Sequence, residues 1–503
     1  MQVTLIPLTY KKLNMGVRHI STYLSEHGHK ALVAFIRPDD QVPDEFFDES
    51  LATQLLSISK DSALYGISLF TLDFPLACRV TKLLKQLDPV KPVLWGGMHA
   101  ILDPEECIRH CDMLCVEEGE RPLCRLLDAM SAGTDFSRID GLWLKDKDGK
   151  ITRNEISGVV EDMDTLGIPD FSTEGKWANK GGKLEPLDLE WMNQSPQYFG
   201  RHLKGLLGKD STLYTIMTAR GCPHRCTYCS NSYFLDKFKG SGKALRFRSA
   251  EHVLRELENV RRNLPTINGI AFYDDDFLSR PLEDLKYLAA EYKKRIAMPF
   301  SCMVSPWSFN REKMKILIDA GLVHAQLGVQ SGSERINKEV FNRNVSTDKI
   351  VEVINGLESL KGEGLRSYLI DLIVENPYET VDDQYSVLMF LRRIPRKVKK
   401  QVFTLIFYPK TELTKRAIAD GFITEDEVMK GKLMGQRTKT SYGYYEFLVE
   451  FHKLTPSALF QVMTVHPVFA IFKNKLFNPC FYYLREFKQL LDRLIVKTVG
   501  PLE

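Results

Sequence analysis

Three cysteines lie close together in one short segment of the chain, Gly221-Cys-Pro-His-Arg-Cys-Thr-Tyr-Cys-Ser230. Three thiolates can hold three irons of a [4Fe-4S] cube and leave the fourth iron without a protein ligand, whereas fully ligated clusters usually take four cysteines. The open iron could then bind a substrate or a cofactor. The segment therefore predicts iron–sulfur chemistry, with Cys222, Cys226 and Cys229 as both the metal ligands and the catalytic core.

Structural zinc is the alternative for closely spaced cysteines, but such a site needs four ligands and usually pairs two CxxC turns. The sequence offers no second CxxC pair. His224 could supply a fourth ligand only if the short loop between the cysteines folded back on itself. The spacing thus favours an iron–sulfur cluster over zinc.

The cysteine segment resembles the signature of the radical S-adenosylmethionine (SAM) superfamily, CxxxCxφC, whose aromatic residue φ is Tyr228 here. The resemblance implies that the amino and carboxylate groups of SAM chelate the open iron, and that reduction cleaves SAM to a 5′-deoxyadenosyl radical. It therefore implies hydrogen-atom abstraction from an unactivated carbon, with an electron donor of the flavodoxin or ferredoxin type.

The composition limits the class of protein. A chain of 503 residues can form two or three domains, and its formal charge of +3 is too balanced for a surface that coats nucleic acid. Ten cysteines are too few for a disulfide scaffold and suit a reducing compartment. The start of the chain lacks a secretory signal, and no apolar run reaches the roughly 18 residues of a membrane span. We expect a cytoplasmic protein, soluble or at most peripheral to a membrane.

Short apolar runs alternate with amphipathic segments over residues 1–135, which predicts βαβ units and a Rossmann-like, doubly wound parallel sheet. Ligands of such sheets bind beyond the carboxyl ends of the strands. The expected strands are Val3–Pro7, Ala31–Ile36, Leu64–Phe70, Pro92–Trp95 and Met113–Val116.

Three loops follow these strands: Gly66-Ile-Ser-Leu-Phe70, Trp95-Gly-Gly-Met-His99 and Glu117-Glu-Gly-Glu120. In this order they resemble the cobalamin-binding domain that precedes many radical SAM domains. The resemblance implies bound cobalamin, with His99 lining the pocket more readily than ligating cobalt. The implied contact residues are Ser68, Gly96, Gly97, His99, Glu118 and Gly119.

Two departures from the cobalamin pattern affect this prediction. Glu117 replaces the first glycine of the usual GEGE, and the DxHxxG motif that would supply a histidine to the cobalt is absent. The sequence therefore does not identify the residue that would bind the lower face of the cobalt. A domain that keeps this fold without binding cobalamin, as in some relatives, is the alternative.

A second cysteine triplet, Cys107, Cys111 and Cys115, has a spacing of four. It begins on an apparent helix and ends in the strand Met113–Val116, so its thiols are not expected to converge. Free cysteine behaves as a small hydrophobe, and we predict that these three residues pack in the core.

Residues 136–211 are predicted to form a hairpin and an interdomain linker. Asp148-Gly149 is a strong two-residue turn signal between two short apolar runs. From Glu161 to about Ser211 the chain is rich in Pro, Gly and Asp and shows little periodicity, which is typical of a connection between domains.

Strands and helices alternate six times over residues 212–410, which predicts a partial (β/α)6 TIM-like barrel. The expected strands are Leu213–Thr218, Gly269–Tyr273, Phe300–Val304, Val323–Val329, Tyr368–Val374 and Val402–Tyr408. Polar residues follow these strands, and in such barrels the carboxyl ends of the strands build the active site.

The radical SAM resemblance assigns roles to several of these polar residues. Asp274 and Asp275 match the position that meets the SAM amino group, and Gln330 and Ser331 match the strand that contacts the ribose. Tyr228 would lie beside the adenine. The further implied SAM contacts are Ser305, Glu334 and Arg343, and for Glu334 a helix-capping role stays open.

Residues 411–503 lose the βα rhythm, and we predict a mostly helical domain. Ala458–Phe472 and Leu476–Leu484 are rich in apolar side chains. Core packing is the favoured interpretation. The alternative is an apolar funnel or a membrane-facing patch beside Lys473 and Lys475, as a lipid-like substrate would need.

The sequence therefore predicts an α/β enzyme with a [4Fe-4S] cluster, SAM and cobalamin. We expect it to abstract a hydrogen atom and to transfer a methyl group to a carbon of a small-molecule or lipid-like substrate. Two alternatives stay open: cyclisation, rearrangement or carbon–carbon coupling without cobalamin, and a non-catalytic cluster or corrinoid sensor.

Overall fold

A computed structural model of the chain describes residues 1–9, 15–38, 43–188, 201–208, 211–429 and 442–499. These residues form two mainly parallel sheets, each covered by helices, and a group of helices that follows them. The α/β class and the order of the two sheets along the chain are as the sequence predicts.

The first sheet has a parallel centre with the strand order β5-β4-β3-β1-β2. Its strands are β1 (Gln2–Pro7), β2 (Lys30–Phe35), β3 (Tyr65–Ser68), β4 (Val93–Gly96) and β5 (Met113–Cys115). Its helices are α1 (Met15–Glu26), α2 (Glu49–Ile58), α3 (Phe74–Leu87), α4 (Met98–Leu102), α5 (Pro104–His110) and α6 (Glu120–Ala132). All five predicted strands are present, which confirms the doubly wound sheet.

The segment after α6 extends this sheet at both edges. One hairpin, β6 (Leu142–Lys145) and β7 (Ile151–Arg153), pairs antiparallel with β5. The other, β8 (Lys176–Lys180) and β9 (Lys183–Pro186), joins beside β2, so the region predicted as a linker completes a nine-stranded sheet. The sequence did not reveal β8 because two of its three buried residues, Lys176 and Asn179, are polar, and it did not reveal β9 because this short edge strand buries only one of its four residues.

The second sheet has six parallel strands in chain order, which bend into an open half-barrel. They are β10 (Thr212–Ile216), β13 (Ile267–Phe272), β14 (Phe300–Val304), β15 (Leu322–Gln330), β16 (Ser367–Val374) and β17 (Lys399–Thr404). A two-stranded ribbon, β11 (Ala219–Arg220) and β12 (Arg246–Phe247), frames the cysteine segment. The predicted six-strand barrel is thereby confirmed.

Helices cover the outer face of this half-barrel, and a π-helical turn at Ile336–Val340 follows β15. The helices are α7 (Arg201–Leu207), α8 (Ser230–Lys237), α9 (Ala250–Asn263), α10 (Leu282–Arg295), α11 (Arg311–Ala320), α12 (Thr347–Leu360) and α13 (Val381–Arg393). Because both faces of the central strands are covered, all eight residues of β16 are buried.

The C-terminal region is helical in its described part. Its helices are α14 (Glu412–Ala419), α15 (Glu425–Met429), α16 (Tyr444–Phe451), α17 (Ser457–Met463), α18 (His466–Phe472) and α19 (Asn478–Val499). Each of α16, α17, α18 and α19 buries aromatic side chains, namely Tyr444 and Tyr445, Phe460, Phe469 and Phe481. Within the described ranges, none of the helices combines the length and the apolarity needed to traverse a bilayer.

Candidate functional site

The cysteine segment forms a loop at the carboxyl end of the second sheet, between β11 and α8. Gly221 opens the loop with a φ of +87°, and a Cβ there would lie 1.9 Å from the carbonyl oxygen of Ala244. Only glycine can occupy this position without displacing the backbone. Cys222 and Cys226 are buried, and Cys229 lies at the N-cap of α8.

Backbone hydrogen bonds fix the middle of this loop to the rest of the half-barrel. Thr227 donates its amide to the carbonyl of Phe341 at 3.1 Å and its hydroxyl to that of Val340 at 2.6 Å. The carbonyl of Thr227 in turn accepts from the amide of Leu413, at the start of α14. The three thiols are therefore held by a loop that two neighbouring elements position.

The three thiols are close enough to influence one another. Burial raises the pKa of Cys229 to about 12, and the nearby Asp275 and Cys226 raise it further. Burial also raises the pKa of Cys222, with smaller contributions from Asp275 and the other two cysteines. A cationic metal centre would reverse this effect, because the thiolate is the form that ligates metals.

The arrangement fits a cluster better than one metal ion. Within the described residues, His29, Cys124 and Asp128 are the one group of three such side chains whose ligand atoms all lie within 4.8 Å of one another. At least one pair of the three loop sulfurs is therefore more than 4.8 Å apart, whereas roughly 3.8 Å separates thiolates on one tetrahedral zinc with 2.3 Å bonds. Thiolates at three corners of a [4Fe-4S] cube suit this wider spacing.

His224 points away from the cysteines, so it is not placed as a fourth ligand. Its Nε2 lies 2.8 Å from an oxygen of Asp276 and 3.3 Å from the hydroxyl of Ser305, and its ring stacks on Trp307 with centroids 4.3 Å apart. Ser308 also donates to Asp276. His224 thereby ties the cysteine loop to the carboxyl ends of β13 and β14, a role that the sequence did not suggest.

The three aspartates after β13 have different environments. Asp274 is buried and accepts from the amides of Thr218 and Ala219 and from the hydroxyl of Thr218, at 2.6 to 2.7 Å. It therefore braces the chain that leads into the cysteine loop. Asp275 is instead exposed to solvent, and its negative charge lies close enough to Cys222 and Cys229 to raise their pKa values. Of the two predicted contacts to the SAM amino group, Asp275 has the carboxylate that faces the thiols.

Arg343 comes from the segment after the π-helical turn and reaches the same loop. Its Nη1 lies 3.6 Å from the sulfur of Cys226 and 3.3 Å from the hydroxyl of Tyr228, and its guanidinium lies over the ring of Trp307. Its Nη2 donates to the carbonyl of Gly328 at 2.7 Å. A buried positive charge beside a cluster thiolate stabilises that thiolate.

Glu334, which the sequence pattern groups with Arg343, lies elsewhere. Its carboxylate is exposed, pairs with Lys338 and accepts from the amide of Thr347 at the start of α12. Glu334 thus supports the start of α12, whose N-cap residue is Ser346. The sequence pattern that contains Glu334 and Arg343 did not indicate which of the two side chains is buried beside the cysteine loop.

Strained backbone marks the same edge of the sheet. Gln330 ends β15, and Glu375 and Lys410 follow β16 and β17; each of the three has a positive φ, between 58° and 69°. Such conformations cost free energy in residues other than glycine and concentrate at functional sites. Ser331, next to Gln330, is buried, and its carbonyl accepts from Asn337.

The loops at the carboxyl end of the first sheet are built around a close backbone approach. Gly97 has a φ of +94°, and a Cβ there would lie 2.9 Å from the carbonyl oxygen of Leu69 and 3.2 Å from the hydroxyl of Ser68. The amide of Leu69 donates to the carbonyl of Gly96. These two turns leave the side chain of Phe70 exposed at the same edge, beside the backbone of Gly96 and Gly97.

His99 lies beneath this edge and not at its surface. It is fully buried, its ring packs 5.1 Å from that of Phe74, and neither ring nitrogen has a hydrogen-bond partner. Burial lowers its pKa to about 4, so the imidazole is neutral at physiological pH. His99 is therefore a residue of α4 whose side chain is buried in the core beneath that helix.

The second cysteine triplet also lies in this core. Cys107, Cys111 and Cys115 are each at most 3 % exposed, and the Cys111 thiol donates to the carbonyl of Cys107 while that of Cys115 donates to the carbonyl of Glu117. Their sulfurs point to different backbone groups. The predicted packing role is what the structure shows.

Charged residues of the Glu117-Glu-Gly-Glu120 loop join the first sheet to the second. Glu118 accepts two hydrogen bonds from Arg246, at 2.9 and 3.0 Å, and lies 3.2 Å from Arg220, while Glu120 pairs with Arg220 at 2.6 Å. Glu117 instead accepts from Ser157. Gly119 precedes α6, and a Cβ there would lie 3.2 Å from Ile20.

These contacts bring the two carboxyl edges face to face. The hydroxyl of Ser230, directly after Cys229, donates to the sulfur of Met98 at 3.6 Å, and Lys237 donates to the carbonyl of Ile101 at 3.1 Å. The loop after β17 joins them through Lys410, which lies 3.5 Å from Asp103. The cysteine loop therefore lies against the segment that follows the Gly96–Gly97 turn.

Two known domain families match these two sheets. The B12 binding domain family matches residues 1–127, and the radical SAM superfamily matches residues 216–390. The first match ends at α6, and the second contains the cysteine loop and Arg343.

Two curated relatives are similar to this chain over most of its length. An uncharacterized methyltransferase of Pyrococcus horikoshii is 24 % identical over 409 residues, which are 78 % of this chain and 80 % of the relative. Cytidylyl-2-hydroxyethylphosphonate methyltransferase of Streptomyces wedmorensis is 21 % identical over 367 residues, 69 % of this chain and 66 % of that protein.

Among solved structures, the fold is similar to that of the radical SAM methyltransferase TsrM from Kitasatospora setae, solved with tryptophan and a SAM analogue bound. The TM-score is 0.62 at 16 % sequence identity, over 83 % of this chain and 76 % of that one. The similarity supports the pairing of the two sheets in one fold.

Proposed function

We propose that this chain, which joins a B12-binding domain to a radical SAM domain and is a radical SAM enzyme, transfers a methyl group from cobalamin to an unactivated carbon of its substrate. Its cofactors are those of the two domains: a [4Fe-4S] cluster, SAM and cobalamin. One observation carries the proposal, namely that Ser230, directly after the cysteine loop, contacts Met98, directly after the Gly96–Gly97 turn of the first sheet. Methyl transfer to a substrate radical needs both cofactors beside one substrate.

The cluster would be held by Cys222, Cys226 and Cys229. The proposed cobalamin site would be lined by Ser68, Gly96, Gly97 and Gly119. When bound, the cluster supplies the electron that cleaves SAM, and cobalamin supplies the methyl group. The chain itself contributes position and electrostatics.

Three residues around the cysteine loop would perform this positioning. Arg343 offsets the negative charge of the Cys226 thiolate, and the carboxylate of Asp275 offers an ion partner to the ammonium group of SAM. His224 fixes the loop against Asp276, so that the ligands do not move when SAM enters or leaves. Tyr228, Ser305, Gln330 and Ser331 complete the proposed SAM contacts.

We also propose that the substrate is a small or lipid-like molecule and that a flavodoxin or ferredoxin delivers the electron. A cytoplasmic location suits the chain, because all ten of its cysteines are free thiols. A peripheral contact with a membrane is part of the same proposal.

The test is anaerobic reconstitution of the full chain with iron, sulfide and hydroxocobalamin. After reduction with SAM present, we expect 5′-deoxyadenosine from the wild-type protein and corrinoid bands in its visible spectrum. Cys226→Ala should lower deoxyadenosine formation by at least about a hundredfold because the cluster loses a ligand, yet it should keep the corrinoid bands. Cys111→Ala, a core thiol, is the matched control and should retain both.

Three results would contradict the proposal. Deoxyadenosine without any corrinoid band would indicate cobalamin-free radical chemistry, such as cyclisation or carbon–carbon coupling. Corrinoid and cluster bands without deoxyadenosine would indicate a sensor. One tightly bound zinc in the anaerobically purified protein would show that the three cysteines do not hold an iron–sulfur cluster.

A further inference from the structure

The C-terminal helices expose apolar side chains, although the sequence favoured their burial in a core. Phe460 and Phe469 do point inward, but their neighbours on α17 and α18 and in the flanking turns face solvent, with Ile471 59 % and Leu476 82 % exposed. We call these neighbours the C-terminal apolar surface: Leu454, Leu459, Val462, Val465, Ile471 and Leu476. Soluble proteins rarely expose so many large aliphatic side chains in one short segment.

The charge of this segment has one sign. From Phe451 to Arg485 the chain contains no aspartate or glutamate, whereas Lys453, Lys473 and Lys475 are all exposed. Helices that combine an exposed apolar side with flanking lysines are typical of proteins that lie in the interface of a membrane.

A second acid-free segment lies against the first. Residues 384–411 also lack aspartate and glutamate, and six of the nine residues from Arg392 to Lys400 are lysine or arginine. The guanidinium of Arg396 lies over the ring of Phe460 at 4.8 Å, and Nζ of Lys400 lies 3.1 Å from Nδ1 of His452.

The cations at this junction lack acidic partners. Both terminal nitrogens of Arg396 and Nε2 of His452 are buried without a hydrogen-bond partner. Burial lowers the pKa of Lys400 to about 7, and the positive charges of Arg396 and Lys453 lower it further. An anionic surface laid against α17 would relieve this repulsion.

We propose that the C-terminal apolar surface docks on a membrane of anionic lipids, with its aliphatic side chains in the headgroup layer and its lysines at the lipid phosphates. A second copy of the chain is a poorer occupant, because two acid-free, cationic borders would face each other. The proposal names the surface and the lipid class for the membrane contact suggested above. It is independent of the proposed methyl transfer.

The experiment is sedimentation of the full, reconstituted protein with vesicles. We expect it to bind vesicles of phosphatidylcholine and phosphatidylglycerol at low salt, and to bind pure phosphatidylcholine vesicles roughly tenfold more weakly. The double variant Ile471→Ser, Leu476→Ser should reduce binding to the anionic vesicles by about tenfold or more. Val90→Ser, at an 88 % exposed position of the first domain, is the matched control and should bind like the wild type.

A charge-reversed variant separates lipid docking from other occupants. Lys473→Glu, Lys475→Glu should lose the preference for phosphatidylglycerol. Failure of the wild type to sediment, or equal binding of the serine variant, would overturn the proposal. A dimer in light scattering that the serine variant abolishes would also overturn it, because the surface would then bind a second copy. Deoxyadenosine formation, measured on the same samples, should not change, so loss of docking is distinguishable from loss of chemistry.

Discussion

The loops at the carboxyl edges of the two parallel sheets contact each other but offer different groups to ligands. At the second sheet, three thiols lie on a loop that hydrogen bonds from Thr227, His224 and Asn342 hold in one conformation. At the first sheet, glycine turns and the exposed ring of Phe70 form an open, weakly polar edge. The first arrangement suits a cluster that must be ligated at fixed points, and the second suits a broad, flat ligand that packs against backbone.

The comparison shows that the architecture alone does not decide the ligand. Both edges follow the rule that ligands bind beyond the carboxyl ends of parallel strands. The difference lies in a few loop residues: cysteines and their supports at one edge, Gly96 and Gly97 at the other.

Gly221→Ala should disrupt the cysteine loop at the edge of the second sheet and leave the glycine turns at the edge of the first sheet intact. The new Cβ would lie 1.9 Å from the carbonyl oxygen of Ala244, so the cysteine loop must shift. We expect iron content and deoxyadenosine formation to fall by roughly tenfold or more, with cobalamin binding unchanged. Gly240→Ala is the matched control, since Gly240 has a similar φ of +85° but open space at its Cβ position. Equal iron content in the two variants would contradict the rigid-loop account.

Gly97→Ala should have the opposite pattern. The Cβ of the new alanine would lie 2.9 Å from the carbonyl oxygen of Leu69 and would alter the turn at the proposed cobalamin site. We expect cobalamin affinity, measured by spectroscopic titration, to fall by about tenfold while iron content stays constant. Gly133→Ala, also at positive φ but with no atom near its Cβ, is the control in the same domain. Undiminished cobalamin binding would place the corrin elsewhere.

Glu118→Gln should weaken the joint between the two edges. Burial by itself raises the pKa of Glu118, but Arg220 and Arg246 outweigh it and hold the pKa at about 2, below the ordinary 4.5. The ion pairs therefore stabilise the fold above about pH 4.5, and that contribution is lost as the pH falls towards 2.

We expect the substitution to lower the free energy of unfolding by about 3 kcal/mol at neutral pH, because Arg246 loses its buried carboxylate partner while Arg220 keeps its ion pair with Glu120. The difference from the wild type, measured by urea unfolding, should shrink near about pH 3. Glu105→Gln, which removes the exposed pair with Arg153, should cost at most about 1 kcal/mol. A loss as small for Glu118→Gln would show that the edges are joined by other contacts.

Much of the fold followed from periodicity, because the central strands of both sheets are covered on both faces and read as apolar runs. Strands β8 and β9 were not predicted, because the buried residues of β8 include the polar Lys176 and Asn179 and the edge strand β9 buries only one residue, so neither forms an apolar run. At the site, the cysteines and the polar residues after the strands were predictable from their order. The tie between His224 and Asp276 was not, because 52 positions of sequence separate residues that only the barrel brings together.

The sequence by itself determined the chemistry of the site. It supplies three thiols spaced closely enough to meet in one loop, an aromatic residue between two of them, and glycines where the chain must turn. The tertiary structure decided which charged groups meet, so that Arg343 reaches Cys226 while Glu334 stays at the surface, and Glu118 binds Arg220 and Arg246 from the other domain. The reason is range: turns and ligand spacing are set by neighbours along the chain, whereas burial and charge pairing depend on groups that folding alone brings into contact.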